Sequence, residues 1–308
     1  MFSKNEEENI KSLEAAVAKL IAKSRSSKDL RMATNALNDL SLAFETFSPY
    51  QNQKKATIFG SARLKPGTTG YQVAYSVAEK LSEAGFLVIT GGGPGVMHAG
   101  LKGAKSGRGI GIGIELPFEV VDPSEEKANG WPLARHQMFF TRKLALTRNV
   151  QAFIAAPGGF GTLDEFFEVL TLIQTGKAKP APVVLLETPE NRMWSKLDLF
   201  IKEHLEDQGL IDPLDKVLYF ITTSPEEAVN YISKFWSNYV SLSSHDGKLS
   251  IQYQREIPVA TLKQIAEQRG VLALPEVTSL DEGWLLTFEF DLRHWSDLHK
   301  IIDYLNLH

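Results

Sequence analysis

The 308-residue sequence contains no cysteine. That absence excludes a disulfide framework, a thiolate zinc site, a cysteine-ligated iron–sulfur cluster and a cysteine nucleophile. Long apolar runs are missing too: none reaches the roughly 18 residues of a membrane-spanning helix. The first residues, MFSKNEEENIKSLEAAV, are charged and lack the apolar segment of a secretory leader. A cytoplasmic protein with no membrane partner is expected. Basic residues are not in excess, since 33 Lys+Arg against 37 Asp+Glu give a formal charge of −4. No global positive field exists to hold a nucleic-acid polymer. The seven histidines are scattered, only His98 and His136 lie near motifs, and no metal site is expected. What remains is ordinary globular composition, 43% hydrophobic and 23% charged, in a length that suits two domains or one with extensions.

Along the chain, Ile10, Leu13, Ala16, Val17, Leu20 and Ile21 recur at helical spacing, and a second, less regular helical stretch reaches Phe47. Ser24 to Ser27 supply the turn and cap between them. Residues 1–52 therefore read as an N-terminal helical arm. From Ala56 the grammar becomes apolar strand, glycine turn, helix, repeated: Ala56 to Phe59, Phe86 to Thr90, Gly109 to Leu116, Ala152 to Ala155, Pro182 to Leu186 and Val217 to Ile221. Continuous apolar strands alternating with helices predict an α/β fold, a doubly wound parallel sheet over residues 53–240. After a serine-rich linker at Ser241 to Ser244 the order is β-α-β-β-α, which predicts a small α+β module with an antiparallel sheet over residues 241–308. It reads as an accessory or interaction module, with a regulatory, ligand-sensing role as the alternative.

Ligands of open parallel sheets bind where strands end and helices begin. Two glycine loops occupy such positions. One is Gly91-Gly92-Gly93-Pro94-Gly95-Val96-Met97, where consecutive glycines let backbone N–H groups approach an anion beside a helix N-terminus. The other is Pro157-Gly158-Gly159-Phe160-Gly161-Thr162-Leu163-Asp164-Glu165, whose glycines and Thr162 hydroxyl suit a phosphate. Glu165 and Glu168 share one face of the helix that follows. Acidic residues also favour the first turn of any helix because they complement its dipole. The residues alone thus leave Glu165 open between catalysis and that simpler role. Neither loop is followed by the Lys-Ser/Thr of a P-loop, and the Gly-x-Gly-x-x-Gly fingerprint is absent from Gly60-Ser61-Ala62-Arg63. A mononucleotide fits better than ATP hydrolysis or hydride transfer. Arg142 and Lys143 open another helix and point about 100° apart, so one of them at most faces a site, and a solvated basic face remains the simpler alternative.

With these motifs together the chain resembles the LOG family, the cytokinin riboside 5′-monophosphate phosphoribohydrolases formerly mislabelled as lysine decarboxylases. Pro157 to Glu165 match the family's Pro-Gly-Gly-x-Gly-Thr-x-x-Glu signature, and Arg142-Lys143 match its upstream pair. Gly60 to Arg63, Gly91 to Met97, Gly113 to Glu119 and Leu170 to Lys177 are similar to the larger bacterial branch. The resemblance spans Lys55 to Tyr239. It implies a Rossmann-like homodimer that hydrolyses the N-glycosidic bond of an adenosine 5′-monophosphate, N6-substituted or not, releasing the base and ribose 5-phosphate without metal or cofactor. It further implies Arg142 and Glu165 as catalytic residues. The substrate would be bound by Gly60 and Ser61, by Gly92, Gly93, Gly95 and Met97, and by Lys143. The loop residues Gly158, Gly159, Gly161 and Thr162 would take the phosphate, with Glu168 positioning the substrate. Alternatives are a broader nucleotide 5′-monophosphate nucleosidase and a non-catalytic nucleotide or molybdenum-cofactor carrier. A pyridoxal phosphate decarboxylase is not expected, because Lys143 lies beside an arginine without a partner for the pyridinium nitrogen.

Overall fold

The computed structural model describes residues 4–116, 130–245 and 247–308. Pro117, Phe118 and Glu119 of the Gly113 to Glu119 motif lie outside the described residues.

Seven strands form one all-parallel sheet: β1 (Lys55–Phe59), β2 (Leu87–Thr90), β3 (Gly109–Ile114), β4 (Leu133–His136), β5 (Ala152–Ala155), β6 (Val183–Leu186) and β7 (Tyr219–Thr222). Their spatial order is β4-β3-β2-β1-β5-β6-β7. Alternation of side chains divides each strand between two cores. Leu87, Ile89, Phe153, Ala155, Val183 and Leu185 enter one. Val88, Ile154, Val184 and Leu186 enter the other, with Ala56 and Ile58 of β1. The second core is covered by α3 (Thr69–Glu83), α4 (Val96–Gly103) and α8 (Pro225–Phe235). The first is covered by α5 (Phe139–Thr147), α6 (Phe160–Gln174) and α7 (Met193–Ile201). The chain thus winds outward from β1 in one direction and from β5 in the other, and a crevice opens at the carboxyl ends of these two neighbours.

The expected strands are present within one or two residues, and two further ones carry no apolar run. β4, Leu-Ala-Arg-His, is one of the sheet's two edge strands. The presumed linker at Ser241 to Ser244 is instead part of β8 (Tyr239–His245), the edge of a second sheet. With β9 (Lys248–Tyr253), β10 (Glu276–Ser279) and β11 (Trp284–Glu289) it makes an antiparallel sheet in the order β10-β11-β9-β8. Its serines face outward while Tyr239 and Leu242 are buried, which is why the segment looks like a linker in sequence. The tail order is therefore β-β-α-β-β-α, completed by α9 (Val259–Ala266) and α10 (Asp297–Leu305) on a third core that also takes Phe235 from α8.

At the N-terminal end, α1 (Lys4–Lys23) is exposed along most of its length, and α2 (Ser27–Phe47) lies against α5 and β4. Ser26 and Asp29 form the capping box that starts α2.

A pair of buried asparagines joins α8 to the second sheet. Asn306 accepts from the backbone N–H of Asn238 (2.9 Å) and Tyr239 (3.1 Å) and donates to the Phe235 carbonyl (2.7 Å). Asn238 in turn donates to the Leu305 carbonyl (2.7 Å) and accepts from Gln254 and Arg255. Asn306→Ala leaves two buried N–H groups and a carbonyl unanswered. It is expected to cost about 3 kcal/mol in urea unfolding, whereas Asn306→Asp, which keeps the acceptor, is expected to cost less.

Candidate active site

Three loops meet at the crevice and are sewn together by backbone bonds. Ser61, after β1, donates its N–H to the Pro157 carbonyl after β5 (3.1 Å) and accepts at its own carbonyl from Val96, the first residue of α4 (2.9 Å). The second contact depends on Gly95, whose φ is +70° and whose place at the Ser61 and Ala62 backbone leaves no room for a Cβ. A cavity of about 750 Å³ results. Gly60, Ser61 and Met97 line it, with Gly158, Gly159, Gly161 and Thr162 along a second wall and Arg142 and Glu165 at its base.

Arg142 and Glu165 are the charged pair of this cavity, Nη1 to Oε1 at 3.2 Å, with side chains only 10% and 13% exposed. Each guanidinium nitrogen has one acceptor in the protein. Nε donates to the Ile112 carbonyl of β3 (2.9 Å), and Nη2 approaches the Gly91 carbonyl at the end of β2 (3.4 Å). Any side chain at Gly91 would overlap the guanidinium and Met97. The first glycine of the triplet therefore lets an arginine cross the strand ends. Burial pushes Glu165 up to about 7, against the lowering influence of Arg142. Arg142 itself is pushed down by the same burial while Glu165 opposes it, and it stays cationic at neutral pH.

Glu165 is not in the first turn of its helix. α6 begins at Phe160 on Gly159, its first turn holds no acidic residue, and no side chain caps it. Compensation of the dipole thus does not account for Glu165, while the uncapped N-terminus leaves its N–H groups facing the cavity beside Gly159 and Gly161.

Other expected residues lie elsewhere. Of the Gly91 to Met97 loop only Met97 reaches the cavity wall; Gly92 packs against Leu133, and Gly93 and Gly95 face Met97 and Ser61. Lys143 turns away from Arg142, as the 100° step requires, and pairs with Asp164 (3.2 Å) and Glu168 (3.1 Å) on the outer face of α5 and α6. Glu168 belongs to that outer group and to a separate, shallower hollow with Phe167 and Leu172. Conversely, Asn191, from the turn after β6, and Met193, the first residue of α7, line the cavity without any sequence motif. Arg63, Leu64 and Phe160 join them, the first and third inside quoted motifs and the second next to one. Position was the available signal for Asn191 and Met193, since they follow the carboxyl end of the strand beside β5.

A family profile described as "Possible lysine decarboxylase" matches residues 93–232. The cytokinin riboside 5′-monophosphate phosphoribohydrolase of Rhodococcoides fascians is 30% identical over 179 residues, which cover 57% of this chain and 87% of that protein. The chain belongs to the LOG family. A probable cytokinin riboside 5′-monophosphate phosphoribohydrolase of Oryza sativa subsp. japonica is 28% identical over 187 residues, 59% of this chain and 84% of that protein. Among solved structures, the molybdenum cofactor binding protein of Rippkaea orientalis covers 59% of this chain and 96% of its own at 23% identity, with a TM-score of 0.42. In this LOG-family chain the signature residues Pro157 to Glu165 thus supply a cavity wall, an uncapped helix start and one half of the buried ion pair.

The electrostatics give a direct expectation. Glu165, identified by the resonance lost in Glu165→Gln, should titrate near pH 7 by carbon-13 NMR. Its midpoint should rise further in Arg142→Met, because the neighbouring cation is the main influence holding it down; an ordinary carboxylate midpoint would contradict the burial.

Proposed function

We propose that the chain hydrolyses the N-glycosidic bond of a nucleoside 5′-monophosphate, with N6-substituted adenosine 5′-monophosphate as the preferred substrate class. The observation that carries this reading is the buried Arg142–Glu165 pair at the base of a nucleotide-sized cavity whose rim is an uncapped helix start. The printed activity of the similar proteins, phosphoribohydrolysis of cytokinin riboside 5′-monophosphates, supports the substrate class.

The 5′-phosphate takes the N-terminus of α6, where backbone N–H groups and the dipole favour a dianion. That seat directs the ribose toward the cavity base. As the bond from C1′ to the base breaks, positive charge builds on C1′ and the ring oxygen, and ionised Glu165 stabilises it. Water adds to C1′, its proton passes to the Glu165 carboxylate, and the base departs with the bonding electrons and takes up a proton. A carboxyl poised near 7 suits both holding and releasing that proton. Arg142 keeps Glu165 in place and offers donors to ribose or base oxygens and nitrogens.

Lysine decarboxylation fits the site poorly. Lys143 is outside the cavity, and its two carboxylate partners raise its pKa and hold it protonated, the opposite of what Schiff-base formation needs.

No helix among the described residues is long and apolar enough to cross a membrane. The outer faces of α5 and α6 nevertheless expose Phe139, Phe140, Leu144 and Phe167, and a second copy of the chain is proposed to cover them. Light scattering should then give twice the chain mass, and Phe140→Asp with Leu144→Asp should halve it; a monomeric parent chain would overturn the homodimer.

The reaction is tested by chromatography of bases released from AMP, GMP, CMP and N6-isopentenyladenosine monophosphate. Release should be fastest from the isopentenyl substrate, fall at least ~100-fold in Glu165→Gln, and rise with pH through about 7 as Glu165 ionises. Equal release from all four would indicate a general nucleotide nucleosidase. Tight binding without release would indicate a carrier.

A further inference from the structure

The helix that carries Arg142 has no cap of its own. Met138 occupies its N-cap position and provides no side-chain acceptor. The acceptor comes instead from about a hundred residues upstream. Asp39, on α2 of the N-terminal arm, is buried to 3% exposure and takes hydrogen bonds from the backbone N–H of Gln137 (3.0 Å) and Met138 (2.9 Å) and from the Thr141 hydroxyl (2.6 Å). One carboxylate thus grips the segment entering α5 and its third helical residue, and Arg142 is the next residue along. The family profile, which matches residues 93–232, does not reach Asp39.

An ordinary structural explanation does not demand a charge at this place. A buried carboxylate is costly unless its lone pairs are answered and a favourable potential surrounds it. Here three donors and the positive end of α5 supply both. The consequence falls on Arg142, whose guanidinium must meet the Ile112 carbonyl, the Gly91 carbonyl and Glu165 at once. Rotation or sliding of the first turn of α5 by an ångström breaks that register. We infer that Asp39 is a positioning residue for the active site: by clamping the start of α5 it sets the register in which Arg142 reaches Glu165, and the N-terminal arm is thereby part of the catalytic apparatus.

The charged groups around this chain of contacts are few. Arg142 and Lys143 of α5 and Asp164 of α6 act on Glu165. His136 at the end of β4 faces both Asp39 and Arg142, and burial holds it below its ordinary value, so it is neutral at neutral pH. Removing Asp39 has two opposite effects on Glu165. Loss of its negative charge alone lowers the Glu165 midpoint, whereas release of Arg142 from its register raises it. The direction of the shift therefore separates positioning from simple electrostatics.

Because the inference rests on the proposed role of the Arg142–Glu165 pair, its readout must stand apart from turnover. The full-length chain labelled with carbon-13 glutamate is titrated by NMR, with Glu165→Gln assigning the resonance and circular dichroism verifying folding. Asp39→Ala is expected to raise the Glu165 midpoint by roughly one unit. Asp39→Asn is expected to leave it near the parent value. With its amide oxygen in the place of Oδ2, it still accepts from the N–H of Gln137 (3.1 Å) and Met138 (2.9 Å) and from the Thr141 hydroxyl (2.6 Å). Should Asp39→Ala not fold, Thr141→Val removes one of the bonds and must shift the midpoint upward by less. In base release, Asp39→Ala should lower kcat about a hundredfold, with a smaller change in KM, while Asp39→Asn restores most of it. An unchanged or lowered midpoint in a folded Asp39→Ala protein, or an equal shift in Asp39→Asn, overturns the inference. Absence of base release by the parent chain overturns the proposed reaction and leaves the titration to decide the role of Asp39.

Discussion

A buried guanidinium needs an acceptor at each of its nitrogens, and most of the site's construction can be traced to that requirement at Arg142. Its three contacts come from the end of β3, the end of β2 and the second turn of α6. Satisfying them forces glycine at position 91, brings α5 and α6 side by side and draws Glu165 into a place where burial raises its pKa. Such a pair contributes little to stability, because desolvation of both ions offsets their attraction. Its persistence at the carboxyl ends of a parallel sheet is better understood as a functional expense met by the two large cores on either side.

The same logic distinguishes the two glycine loops, which look alike in sequence. The loop after β5 leads into a helix start that no side chain caps, and it faces the cavity. The loop after β2 faces inward, where Gly91 makes way for Arg142 and Gly95 for the Ser61 backbone. On the proposed function the first loop receives the substrate's phosphate, whereas the second lets protein groups pass close together.

Much of this was legible in the residues because it follows short-range rules. Continuous apolar strands announced a sheet covered on both faces, and glycine clusters after β2 and β5 marked the strand ends that matter. What was not legible follows from interactions between distant segments. β4 and β8 are edge strands with polar sequences, so neither shows an apolar run. Glu165 reads as a first-turn acid when the helix is placed after the glycines, whereas it starts within them, at Phe160. Glu168 shares a helical face with Glu165, yet the inward turn of Arg142 takes the one and leaves the other to Lys143. Asn191 and Met193 sit in a turn and at the helix start that follows it, with no motif, and only the neighbouring of β6 and β5 brings them to the cavity.

Asp39 is the extreme case of such a long-range contact, and its counterpart lies at the other end of the paired helices. The last residue of α6, Gln174, donates to Asp215 (2.5 Å), which also accepts from Ser296 in the C-terminal module (2.5 Å). Trp295 of that module packs over Gly176, just beyond the helix. The N-terminal extension therefore holds the start of α5, and the C-terminal extension holds the end of α6. Arg142 and Glu165 stand on these two helices, and an ångström of relative motion between them is enough to part a 3.2 Å contact. On the inferred role of Asp39, an extension outside the parallel sheet sets the register of the charged pair, while the C-terminal module meets the second of the two helices at its far end.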